Sequence, residues 1–214
     1  MTLKINKIVH EYPNFKLNIS TLNIKENNII GLIGENGAGK TTFMDLLSGL
    51  KKANVSFEVT DLDSNSILYI PSDLEPFDYM TVIEFIDIIR KYSKVSKTNL
   101  DILKELNLEE KRNVLISELS QGMRKKLSLI NVFLHDYKLI VLDEPFNSVD
   151  IKYIYQLKKL LSELKKKSII IVSSHILDTL SDLCDEFIYL EDGKVKKRFK
   201  NSGEVDLLER ELFE

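Results

Sequence analysis

The 214-residue chain has a single cysteine, no apolar run approaching a membrane span, and no surplus of basic residues. One cysteine cannot close an internal disulfide. Cys184 sits in the helix-like stretch "HILDTLSDLCDEF", at an apolar spacing from Ile176, Leu180 and Leu183, and reads as core rather than as a reactive thiol. Apolar runs such as "IIIV" at 169–172 fall far short of the roughly 18 residues a bilayer crossing needs. The start, "MTLKINKIVH", lacks the apolar stretch and small-residue cleavage site of a secretory signal, so the expected location is cytoplasmic. With 33 acidic and 30 basic residues the net charge is -3, and no nucleic-acid partner is expected on charge. No internal repeat or low-complexity segment is apparent. What remains, 43% hydrophobic and 29% charged, is the composition of an ordinary globular protein with one sizeable core or two lobes.

Against this background "GENGAGKTT", Gly34 to Thr42, stands out. It satisfies Gly-x-x-x-x-Gly-Lys-Ser/Thr through Gly34, Gly39, Lys40 and Thr41. Four fixed positions arise by accident in roughly one chain in a hundred of this length, so the context decides. Ile29 to Ile33 before the loop is a β-branched run, and Phe43, Leu46, Leu47 and Leu50 after it recur at helical spacing. Strand, glycine-rich turn and helix start together point backbone N–H groups at one spot, which is how anions are bound without side chains.

Two further strands read as buried: "KLIVLD" at 138–143, ending in a carboxylate, and "SIIIVSS" at 168–174, ending beside His175. Between them "IKYIYQLKKLLSEL" places Ile154, Leu157, Leu161 and Leu164 on one helical face. Uninterrupted apolar strands alternating with helices predict a parallel sheet covered on both sides, with ligands beyond the carboxyl ends of its strands. The glycine loop, Asp143 and His175 would all emerge there. "FIYLEDGKVKKRF" predicts a hairpin turning at Asp192-Gly193. The middle, about 73–136, predicts helices: a Thr-x-x-Glu capping box at "TVIE" followed by Val82, Phe85, Ile86 and Ile89, then Leu100, Leu103 and Leu106, then Met123, Leu127, Ile130 and Leu134. These suggest a helical lobe inserted in an α/β core.

The order of the glycine loop, "LSQGM" at 119–123, "LIVLDEP" at 139–145, "NSVD" at 147–150 and His175 resembles the nucleotide-binding subunit of ABC transporters, over about Leu3 to Phe199. The resemblance implies an α/β P-loop NTPase core with a parallel sheet, an N-terminal antiparallel β subdomain and an inserted helical subdomain. It implies a core lobe of 1–72 and 137–214 around a helical subdomain of about 73–136. ATP and Mg2+ are the implied cofactors. Gly34, Asn36, Gly37, Ala38, Gly39, Lys40, Thr41 and Thr42 would cradle the phosphates, with Lys40 reaching the β- and γ-phosphates and Thr41 and Asp143 near the metal. Glu144 would be the base or water-polarising group, and His175 would contact the γ-phosphate. Ser120 can cap the helix that carries Met123, leaving N–H groups near Gly122 free for an anion. The family implies that Ser120 and Gly122 meet the ATP held by a partner ATPase subunit, alike or different, with Asp150 closing the loop that crosses the interface. Tyr12, or alternatively Phe15, would stack on adenine.

Some positions depart from the pattern. "LYIPSD" puts Ser72 where a magnesium-contacting glutamine is expected, and Asp73 or a water would have to substitute. The following segment, to Met80, is where the resemblance places the docking helix of a transmembrane permease, making the chain peripheral on the cytoplasmic face of the membrane. Gln121 and Met123 also replace common residues, a variant that leans toward export of a peptide, drug or lipid. The alternatives from other classes are a non-transport ATPase of DNA repair or translation, and a nucleotide-gated regulatory subunit with little hydrolysis.

Overall fold

The computed structural model describes residues 2–60, 63–72, 77–93 and 97–213. The chain opens with a long hairpin, β1 (Thr2–Tyr12) and β2 (Phe15–Lys25), registered from Thr2 opposite Lys25 to Tyr12 opposite Phe15. Leu3 and Ile5 are buried, then Ile8, so the period of two slips by one residue. The slip coincides with a register shift between Ile5 and Lys7 against β4 (Ser56–Thr60), an irregularity that turns the strand without exposing its apolar face. The three strands form a sheet of order β2-β1-β4.

The second sheet runs β5 (Ile67–Ile70), β6 (Leu139–Leu142), β7 (Ile169–Ser174), β3 (Ile29–Ile33), β8 (Glu186–Glu191), β9 (Lys194–Lys200). The pairs from β5 to β8 are parallel, and only β9 is antiparallel. Every residue of β3, β6 and β7 is buried, because both sheet faces are covered. Ile30, Leu32, Val141 and Ile171 pack with the antiparallel sheet and with α1 (Lys40–Ser48). Ile29, Ile33, Ile170 and Val172, one residue out of phase, pack with α5 (Ile151–Leu164) and with Leu208 of α7 (Val205–Phe213).

A third apolar cluster joins α2 (Val82–Lys91), α3 (Asn99–Leu106), α4 (Gln121–Ser128) and the 3-10 turn Leu129–Phe133, through Phe85, Ile86, Leu103, Leu106, Leu127 and Ile130. The capping box at Thr81 and Glu84 forms, and Thr98 with Asp101 forms a second. That second cap sets the phase of α3, so Ile102 takes the buried place and Leu100 is exposed, contrary to the spacing argument. Two other expectations are corrected. The helix after the glycine loop stops at Ser48, where Gly49 turns left-handed, so Met44 is buried and Leu50 exposed. In 175–187 only α6 (Asp178–Ser181) is helical and Ile176 is exposed, since Asp185 already donates to the Ile29 carbonyl as the chain enters β8. Cys184 is buried, and burial pushes its thiol pKa up.

The hairpin turn at Asp192-Gly193 has positive φ at both residues, 47° and 70°. Gly193 accepts from the Asn18 N–H at 2.7 Å and donates to the Ala38 carbonyl at 3.0 Å, fastening β2 and the glycine loop to the tip of the β8–β9 hairpin. A Cβ at Gly193 would stand 2.1 Å from the Lys16 carbonyl oxygen. Gly193→Ala is therefore expected to lower unfolding stability by at least about 3 kcal/mol, read as a lower urea midpoint at unchanged slope.

Candidate functional site

Parallel strands deliver their carboxyl ends to one edge, and β3, β6 and β7 bring the glycine loop, Asp143-Glu144 and His175 there together. The loop wraps into α1 through Gly39, whose φ of 102° places it in the left-handed region and whose absent side chain leaves room for the Phe15 ring. A Cβ there would be 2.7 Å from Phe15 Cζ. Lys40 is only 7% exposed, and its ammonium folds back to donate to the Gly34 carbonyl at 2.6 Å and the Glu35 carbonyl at 3.1 Å.

Thr41 Oγ1 donates to Asp143 Oδ2 at 2.9 Å across 102 residues of sequence. Asp143 is 6% exposed, and its other oxygen, Oδ1, accepts from Ser173 Oγ at 2.7 Å. The same Ser173 oxygen accepts from the Glu144 N–H at 2.7 Å. Glu144 has φ 44°, a left-handed conformation costing a non-glycine residue roughly 1–2 kcal/mol. Its backbone is fixed from both sides, since Lys125 Nζ donates to its carbonyl at 2.6 Å. Its carboxylate Oε2 lies 3.1 Å from His175 Nδ1.

Near this row stand Asp45 and Tyr69, both within electrostatic reach of Asp143. Asp45, one turn beyond Thr41 on α1, has its carboxyl pKa raised by burial first, with Lys51 opposing and Asp143 adding. Burial likewise raises the Tyr69 phenol, helped by Asp143 and Asp45. Adjacent hydroxyl and carboxylate oxygens are the donor set of a small hard cation that takes its other ligands from phosphate and water. Among the described residues no group of three His, Cys, Asp or Glu side chains forms an all-protein metal cage.

A cavity of about 310 Å³ opens over the loop, lined by Asn36, Gly37, Lys40, Thr42, Ser72 and Phe15 among others. A neighbouring cavity of about 390 Å³ shares Ser72 and Glu144 and is lined by Gln121, Lys125 and Asn147. Of the two aromatic candidates, Phe15 lines the loop cavity. Tyr12 is 36% exposed, and its hydroxyl pKa is held down by Lys51, with the Thr42 side chain close by. Ser120 caps α4, accepting from the Met123 N–H at 3.3 Å. Ser120 and Gly122 do not line the loop cavity. Gly122 instead faces Asp150, which caps α5 by accepting from the Tyr153 N–H at 2.7 Å. Asp73 lies outside the described residues, as do 74–76 of the segment that follows Ser72.

Sequence reasoning passed over Ser173, Asp45, Tyr69 and Lys125. Asp45 could have been found from its position four residues after Thr41 on one helix face. Ser173 is two residues before His175, which lies just past the end of β7, and the contacts of both with Glu144 bring them to the same place.

The ABC transporter family model matches residues 17–147. The ABC-type transporter ATP-binding protein EcsA of Bacillus subtilis is 31% identical over 190 residues, 82% of this chain and 77% of that protein. Two uncharacterized ABC transporter ATP-binding proteins of the same organism are 29% and 30% identical, and the chain spans 62% of the length of each. Among solved structures, the ATP-binding subunit of an ABC transporter superposes over all of both chains with a TM-score of 0.83 at 24% identity. An ATP-binding cassette solved as a dimer in a post-hydrolysis state, bound to ADP and Pi, gives 0.71 at 22% identity over 95% of this chain and all of that one.

Proposed function

The chain belongs to the ABC transporter family of ATP-binding proteins, and from that premise we propose that it binds and hydrolyses ATP to drive a separate transmembrane permease. The observation that carries the reading is the unbroken run of contacts Thr41, Asp143, Ser173, Glu144 and His175 beside the glycine loop. In this reading Gly34, Asn36, Gly37, Ala38, Gly39 and Thr42 cradle the phosphates. Lys40 exchanges the Gly34 and Glu35 carbonyls for phosphate oxygens. Thr41 and Asp143, with Ser72 at the mouth, would hold Mg2+, which would supply positive charge against the phosphates. Glu144 orients the attacking water and takes its proton, and His175 keeps the carboxylate aimed. Tyr12 stacks on adenine, with Phe15 as the alternative platform closer to the phosphates.

Ser120 and Gly122 stand away from the chain's own loop, which supports their acting on ATP held by a second ATPase subunit, identical or different. The helical part, about 73–136, serves as a lobe moving against the core of 1–72 and 137–214. The permease docks near Ser72 to Met80, placing the chain on the cytoplasmic face of the membrane. Among the described residues no helix is long and apolar enough to cross it. Export of a peptide, drug or lipid is the direction proposed. Ser72 favours one second reading, a nucleotide-gated subunit with slow hydrolysis, because it is a weaker cation ligand than the amide it replaces. Phosphate release from the purified chain with ATP decides between them. Turnover that appears with Mg2+ and vanishes with a chelator is expected, and ATP binding with no turnover, even with the permease, would leave the gated reading.

A further inference from the structure

We propose that Ser173 is a positioning residue that couples the cation site to the water-activating carboxylate through a single hydroxyl. The inference rests on the ATPase reading above and assigns the proposed hydrolysis a residue that has no role in the family resemblance.

Ser173 is fully buried at the end of β7, where "IIIV" would pack more cheaply if continued by another apolar residue. A buried hydroxyl is tolerated only when partnered, and both of its functions are in use. Its one proton goes to Asp143 Oδ1 and its oxygen accepts the Glu144 N–H, each at 2.7 Å. With Thr41 donating to Oδ2, the Asp143 carboxylate is held by hydroxyls on opposite oxygens and cannot rotate. β6 ends at Leu142, so the Glu144 N–H depends on Ser173 in place of a sheet partner. Ser173 in β7 and His175 just past its end thus hold Glu144 at two points, its backbone and its carboxylate. The adjacent Ser174 has a different role: its hydroxyl accepts from the Ile176 N–H at 3.0 Å and serves the local turn.

The test is an isosteric pair, Ser173→Thr, which keeps the hydroxyl, and Ser173→Val, which removes it, with Ser173→Ala as the small variant. For Val and Ala, kcat for phosphate release should fall about 10- to 100-fold with KM for ATP within a few-fold, and the Mg2+ needed for half-maximal rate should rise by about tenfold. Thr should stay within a few-fold of the parent on both readouts. Equal behaviour of Thr and Val, or parental values in Val and Ala, would overturn the proposal. If the parent itself turns over no ATP, the function reading fails and this one is decided separately. The gain in ATP affinity on adding Mg2+, measured by calorimetry, should then shrink in Val and Ala but not in Thr, and an unchanged gain would overturn it. Urea midpoints of all variants identify any loss that is only unfolding.

Discussion

Glu144→Gln is expected to slow phosphate release about 10²- to 10⁴-fold while leaving ATP affinity within a few-fold of the parent. The substitution removes the negative oxygen that would take the water's proton and keeps the shape of the side chain. The other contacts of this residue are to its backbone, the N–H to Ser173 and the carbonyl from Lys125 and from the Asn147 N–H, so the strained local fold should survive. The amide can still meet His175 Nδ1 at the 3.1 Å now seen. Bound ATP then persists, and a dimer bridged by two ATP molecules should accumulate. Single-turnover kinetics beside light scattering with and without ATP reads both halves. A parental hydrolysis rate would move the base elsewhere, and His175 would be the first residue to examine.

Lys40→Ala is expected to abolish measurable turnover and to weaken ATP binding by about 2–4 kcal/mol, roughly 30- to 1000-fold. Two losses add. The ammonium is a direct partner for phosphate, and its loss also leaves the Gly34 and Glu35 carbonyls without the donor that now organises the loop mouth. Comparing nucleotides separates this from a general collapse of the pocket: affinity for AMP should change little, because Lys40 is argued to reach the outer phosphates. Equal losses for ATP and AMP would show that the lysine chiefly holds the loop. An unfolding midpoint near that of the parent is expected, because the apolar side of α1, Phe43, Met44, Leu46 and Leu47, is untouched.

Much of the frame was legible because it depends on local pattern. The β-branched run at 29–33, the helix at 151–164 and the Asp192-Gly193 turn formed where periodicity and turn chemistry place them. Errors arose where one cap outweighed a stripe of leucines. Thr98 with Asp101 rotates α3 away from Leu100, and Asp in place of Glu at the third position hid the box. The site was legible residue by residue but not contact by contact. Which way the Ser173 hydroxyl points depends on β6 and β7 pairing with Leu142 opposite Val172, a register fixed by two strands 30 residues apart. Lys125 could not be placed on Glu144 from spacing, since that contact requires α4 to lie across the end of β6.

The tip of the β8–β9 hairpin has a bearing on synthesis. The glycine loop is complete in sequence by Thr42, yet its Ala38 carbonyl is bound by Gly193, and β3 beneath it lies between β7 and β8. A growing chain on the ribosome therefore carries an unpaired apolar strand until β7 has been made and an unfinished nucleotide pocket until Gly193 has been made. Nascent chains stalled before residue 169 should be protected by chaperones rather than by ATP, and nucleotide can act as a folding ligand only once Gly193 has been made.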